Sequence, residues 1–419
     1  MRSAAFVVCG FLTALPLAAQ LATDLVPRER TISRADEIRR DLADSRFRLG
    51  PIRIRPVFAI RDLGYDNNVF GAADGAQVGD WRSTVGAGAN LILPMGRKLY
   101  LTGTVIPEYT YYQRLTDRRL FGGNYGGSAI ALFNRLSVEA GGNIDKAIGP
   151  VSSELERSAP GRQTNQFVRS EIEVFRRLSF FGSAQRQEQR YELTASDIAS
   201  ATTLDQLERN ETVARGGVRY ALRSYFDISA AVENGTTDFV SARTSDNSTR
   251  AVIAGIHYDR PRFFVNVSGG SRTGEARGPF STFPRYSTTT GSYYAAYQLG
   301  VPLAVDAYGH RAVVYGLYAG NPYFLETRNG IGFTLPVGQR LGLRGFTEAG
   351  KNAYPIQSGG VLRTDDVTVV GGGIAYRLYR TTTLTIVASD TRYTSNIPDF
   401  NRSIFRVATV VSLRGEFFR

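Results

Sequence analysis

The chain has two histidines, His257 in AGIHYDR and His310 in DAYGHRAV. A hydrolase would need one of them beside a serine, with its second ring nitrogen held by a third polar group. His257 has Asp259 near it, on the same strand face beside a tight turn, and no serine is indicated as a partner. No H-E-x-x-H, no phosphate-cradling G-x-x-x-x-G-K-[ST] and no convincing dinucleotide fingerprint occurs. Asp66, Asn67 and Asn68 could offer oxygens to Ca²⁺, but loop-turn chemistry accounts for them. Gly371 to Gly373 read as a place where a bulky neighbour or a plug approaches a strand. The chain is therefore read as no enzyme, with no cofactor and no metal. An outer-membrane lipid- or sugar-hydrolysing enzyme is the least favoured alternative.

What recurs instead is charge at every second position. PIRIRPVFAIRDLGYDNNVF, from Pro51 to Phe70, sets Ile52, Ile54, Pro56, Phe58 and Ile60 against Arg53, Arg55 and Arg61. A period of two places the two sets on opposite faces of a strand. The same habit runs to the last residue. Leu99, Leu101, Val105, Tyr109 and Tyr111 alternate with Thr102, Thr104 and Glu108; Val138 with Glu139; Val168, Ile172 and Val174 with Arg169, Glu171 and Glu173. Val218 and Tyr220 alternate with Arg215 and Arg219, and Ile331 and Phe333 with Arg328. Phe405 and Val407 alternate with Arg406 and Arg414, and Arg344 and Glu348 continue the charged set.

Connections alternate as well. Short links such as Met95-Gly96-Arg97 and Phe133-Asn134 take turns with long polar ones such as SSELERSAPGRQTN and DIASATTLDQLERN. Turns on one side and loops on the other are the habit of an up-and-down antiparallel transmembrane β-barrel of about eighteen strands (16–18), with short periplasmic turns and long extracellular loops. A ring of that size is too wide to fill with side chains. The charged face should then line a lumen and the Ile/Val/Tyr face should meet lipid, because Arg at mid-depth on the lipid face costs about 2–4 kcal/mol. The candidate lumen lining is Arg53, Arg55, Arg61, Glu108, Glu139, Arg169, Glu171, Glu173, Arg215, Arg219, Arg328, Arg344, Glu348, Arg406 and Arg414. Mixed sign with an Arg excess predicts a weakly selective, anion-leaning pore. Tyr109, Tyr111, Tyr220, Tyr293, Tyr297, Phe58 and Phe333 are candidates for aromatic girdles.

Composition agrees. The 419 residues include 44 Gly, 22 Tyr and 24 Phe but one Cys and two Met. The net charge is +12, nearly all of it Arg, since Lys98, Lys146 and Lys351 are the only lysines. An Arg-rich chain suits phosphate and carboxylate partners. Residues 1–22 read as a secretory signal peptide: Arg2, an apolar stretch from Ala4 to Leu17, then small residues. Cys9 lies inside that leader, so no disulfide framework is available afterwards. Residues 23–50 are charged and Gly-poor, a periplasmic segment with a short helix capped by Ser33 and striped by Ile38 and Leu42. Residues 51–419 form the barrel.

LGYDNNVF and the tail LTIVASDTRYTSNIPDFNRSIFRVATVVSL resemble the opening and closing segments of the bacterial outer-membrane family named beta-barrel porin 2. That resemblance implies an outer-membrane barrel in a Gram-negative envelope, sometimes linked to exopolysaccharide export, with no catalytic residues. The final Arg419 departs from the aromatic end usual in such barrels. Expected partners are outer-membrane lipid and lipopolysaccharide, the barrel-assembly machinery, and acidic polysaccharide or small solutes, but no nucleic acid. The oligomeric state is open. A non-conducting barrel with surface-binding loops is the second reading.

Overall fold

The computed structural model describes residues 34–45, 47–154, 156–199, 204–299, 303–317, 320–356, 361–379 and 382–412. The expected signal peptide, the Ser33 cap and Arg414 lie outside them. A helix, α1 (Arg34–Asp44), precedes the strands. The strands are β1 (Phe47–Leu49), β2 (Ile52–Asp66), β3 (Asp80–Met95), β4 (Leu99–Tyr112), β5 (Leu120–Leu132), β6 (Leu136–Pro150), β7 (Ser158–Phe175), β8 (Leu178–Tyr191), β9 (Arg209–Arg223) and β10 (Phe226–Phe239). They continue as β11 (Asn247–Arg260), β12 (Phe263–Ala276), β13 (Tyr286–Gln298), β14 (Ala304–Tyr315), β15 (Tyr323–Val337), β16 (Leu341–Ala353), β17 (Thr364–Tyr379), β18 (Thr382–Ser395) and β19 (Arg402–Ser412). Each strand from β2 onward pairs antiparallel with the next, and β19 pairs with β2, closing an eighteen-stranded barrel with β1 outside the ring. Among the described residues no helix is long and apolar enough to cross a membrane.

Alternation in sequence becomes two faces of one wall. Outward positions keep large apolar side chains in the open: Val252 is 63% exposed, Ile331 60% and Val370 56%. Tyr109, Tyr111, Tyr220, Tyr297 and Phe333 stand on this outer face as well. Inward positions on β15 and β16 are buried instead, among them Glu326, Arg328, Arg344 and Glu348. The inner face is not uniformly charged, which corrects the simple division into a greasy outside and a polar inside. Phe346, Val367, Val369, Tyr393 and Ile404 form a buried apolar cluster on the inside of β16 to β19. Chain folded into the lumen covers them, so these apolar groups are shielded from water there too.

The closing seam shows how the ring is accommodated. Asp62 takes a left-handed φ of 54° where the pairing of β2 with β3 shifts register. The bulge reverses the alternation. Arg61 and Asp66, five residues apart, therefore face the same interior space. Next to it Gly64 lies so close to β19 that a Cβ there would stand 1.7 Å from the Val407 carbonyl oxygen. Gly371, first of the triple glycine, admits the Phe346 ring: a Cβ would sit 2.4 Å from it. Gly64→Val should weaken the β19–β2 seam by about 1–3 kcal/mol, as other overpacked sites do. An unboiled gel of the refolded variant should show a smaller folded fraction and a lower melting temperature than wild type.

Candidate functional site

The β6–β7 connection, residues 151–157, does not stay outside. Val151, Ser152, Ser153, Glu154, Glu156 and Arg157 are all buried, and they cross the barrel to the wall of β15 to β19. Ser153 donates its hydroxyl to Glu326, and Tyr393 donates to the Ser153 carbonyl at 2.9 Å. Arg406 donates to a Glu156 carboxylate oxygen at 3.0 Å and to the Glu156 carbonyl at 2.7 Å. Glu154 accepts from Arg363 at 3.2 Å and from the Leu317 amide at 2.6 Å, while Arg402 reaches the Glu154 carbonyl. Burial pushes the Glu154 carboxyl above the usual range, against the opposing pull of the Leu317 amide and Arg363.

A second connection fixes the near end. The β8–β9 loop contains the short helix α2 (Ala195–Ala199), whose Asp197 is fully buried. Asp197 accepts from Arg118 at 3.0 Å and from Arg157 at 2.6 Å, so one carboxylate holds the β4–β5 loop, the β8–β9 loop and the crossing segment together. Both guanidinium groups also lie near the Phe70 ring face, at 4.9 and 5.2 Å. Burial lowers the Arg157 guanidinium, and Asp197 opposes that shift.

Two cavities open on the inner face of the wall. One, of about 290 Å3, is bordered by β2 to β6 and β18–β19; its wall carries Arg61, Arg82 and Arg406 with Asp62, Asp66, Glu108 and Asp145. The other, of about 340 Å3, is bordered by β9 to β14 and carries Arg215, Arg272, Arg311, Glu211, Glu233, Tyr286 and Tyr315. Four of these arginines are matched. Arg61 pairs with Glu108, Arg82 with Asp62 at 2.9 Å, Arg406 with Asp66 at 2.8 Å and Arg272 with Glu233 at 2.6 Å.

The residues singled out from the sequence are distributed as follows. Arg53 and Arg55 face inward at the turn end, and Arg55 donates to Asp41 of α1 at 2.8 Å. Glu139 is buried, accepts from Ser128 and lies 3.7 Å from Arg169, whose side chain remains 60% exposed. Arg219 pairs with Glu171 at 2.9 Å, Glu173 is exposed on the same inward face, and Arg215 lies over the Phe181 ring. Arg328 lies 4.0 Å from Glu326, Arg344 3.4 Å from Asp306, and Glu348 accepts from Tyr308 at 2.8 Å. Sequence reasoning missed Glu154, Glu156, Arg157 and Asp197, because their partners are distant in the chain.

Neither histidine forms a hydrolytic pair. His310 contacts Glu326 at 2.8 Å, and Ser153 reaches the other oxygen of the same carboxylate. The acid thus stands between serine and imidazole, so the imidazole does not reach the hydroxyl as a triad histidine would. His257 lies opposite Asp227 in the β10–β11 register and edge-on to Phe264. Asp66, Asn67 and Asn68 close a loop: the Asn68 amide donates to Asp66, and Asn67 accepts from the Phe405 amide. No metal-binding cluster of His, Cys, Asp or Glu occurs among the described residues.

No family model and no curated protein matches the chain, so the family expected from its short motifs is not shown. Solved structures do match. A BenF-like porin from Pseudomonas fluorescens superposes with a TM-score of 0.56 at 12% identity, over 87% of this chain and 99% of that one. OccAB3 from Acinetobacter baumannii gives 0.52 at 13% identity, over 86% and 98%. OccK2 of Pseudomonas aeruginosa, solved with glucuronate, gives 0.52 at 10% identity, over 86% and 97%. At such identities the likeness is one of fold. Asp197→Ala should leave Arg118 and Arg157 buried without their shared counter-charge, at a cost of about 3–5 kcal/mol. Limited proteolysis should then nick residues 151–157 and 192–208 in the variant and spare them in wild type.

Proposed function

We propose that the chain is a porin-like channel in the outer membrane of a Gram-negative bacterium, passing small polar solutes through a lumen narrowed by residues 151–157. The observation that carries this reading is the crossing segment itself: it lies inside a wide charged interior and is held to the far wall mainly by side-chain hydrogen bonds and ion pairs, with Val151 packed in a small apolar cluster at its near end. The apolar outer face suits hydrocarbon, where unpaired backbone is excluded and closed barrels satisfy every strand. The fold shared with solved porins supports the same assignment.

The matched chambers set the selectivity. Three arginines and four acids line the first, and three arginines and two acids the second, so the two together hold six of each and offer no net positive field. The +12 charge of the chain therefore does not make an anion filter, and weak selectivity is the consequence. Passage of a polymer, as exopolysaccharide export requires, would need the crossing segment displaced against its ion pairs. That reading stands second. The paired and exposed charges of the inner wall fit a channel better than an enzyme.

In planar bilayers the refolded chain should open small, weakly selective conductance steps. Arg406→Gln with Glu154→Gln should release the crossing segment and raise conductance several-fold. A correctly folded barrel that stays silent in both forms would exclude the channel and leave the non-conducting barrel.

A further inference from the structure

The net charge of the chain is concentrated at one end of the wall. Six of the short turns read MGRK (95–98), FNR (133–135), FRR (175–177), RSY (223–225), RPR (260–262) and VGQR (337–340). Together they hold nine cations and no Asp or Glu, and every one of the nine is exposed. The described residues of the long loops at the opposite end hold ten acids against eight bases. Among the described residues none of the nine is in an ion pair, and two of them lie against aromatic rings instead. The Arg260 guanidinium is 3.6 Å from the centre of the Tyr225 ring, and Lys98 Nζ is 5.6 Å from that of Phe133. Beside them Phe133, Phe175 and Phe263 are exposed, continuous with the apolar outer face.

Resting on the membrane reading above, we propose that this rim is a binding surface for anionic phospholipid headgroups of the leaflet that meets the turns. The chemistry is that of a cation beside an interfacial aromatic. The ring and the alkyl stem sit at the edge of the hydrocarbon, and the charged tip reaches a phosphate. Arg adds a fork that can hold two phosphate oxygens at once. A ring of cations on successive turns confronts a whole annulus of lipid, and each cation near an anionic surface adds to the attraction. The loop end, with its slight acid excess, lacks this preference, so the two leaflets meet rims of opposite character.

The chain has one tryptophan, Trp81, exposed on the outer face at the loop end. A second reporter is made at the turn end by Phe133→Trp in a Trp81→Phe background. Both proteins are refolded into phosphatidylcholine vesicles containing brominated phosphatidylglycerol or brominated phosphatidylcholine, and tryptophan quenching is compared. The anionic lipid should be preferred several-fold at position 133, with no preference at position 81. Arg97→Gln, Lys98→Gln and Arg135→Gln together should abolish the preference at 133, and raised salt should weaken it. Equal quenching at both ends, or a preference that survives the triple substitution, overturns the proposal while leaving the barrel in the membrane. Absence of quenching by either lipid overturns the membrane reading and the proposal with it.

Discussion

Closure of the hydrogen-bonded ring is the constraint from which the rest follows. Once β19 pairs with β2, no strand edge along the wall is left for another chain. An eighteen-stranded ring encloses more space than side chains from the wall can fill. Water and charge must then occupy the middle, and large apolar groups must be tolerated outside. The bulge at Asp62 and the absent side chain at Gly64 are local adjustments that let the last strand meet the first.

A wide interior full of guanidinium groups would repel itself. The structure meets this by pairing: Arg61 with Glu108, Arg82 with Asp62, Arg219 with Glu171, Arg272 with Glu233. Where the crossing segment removes water, the pairing becomes denser, and Glu154, Glu156 and Asp197 each take contacts from more than one partner. Buried charges of this kind contribute little net stability but are costly to separate. They specify where the segment lies more than they strengthen the barrel.

The wall was legible in the sequence and its contents were not. Period-two alternation is a local signal, so Arg53, Arg328, Arg344 and Arg406 could be placed inward from their immediate neighbours, and even the polar β8 took its place in the ring. Residues 151–157 carried no comparable mark. Their polarity suits an exposed loop, and the groups that bury them, such as Arg363 and Tyr393, lie far along the chain. Nothing local marks Val367, Val369 and Ile404 as inward either, since only a covering segment explains apolar residues on that face. The chambers were illegible because pairing neutralises arginines that a count treats as free.

Those separations also order events in time. Ser153, Glu154 and Glu156 join partners 163 to 250 residues later in the chain. Such contacts cannot form before β15 to β19 exist and are in position, and distant contacts are the slow ones. A nascent barrel should therefore pass through a stage with its bore unobstructed, and acquire its restriction as the final step of maturation.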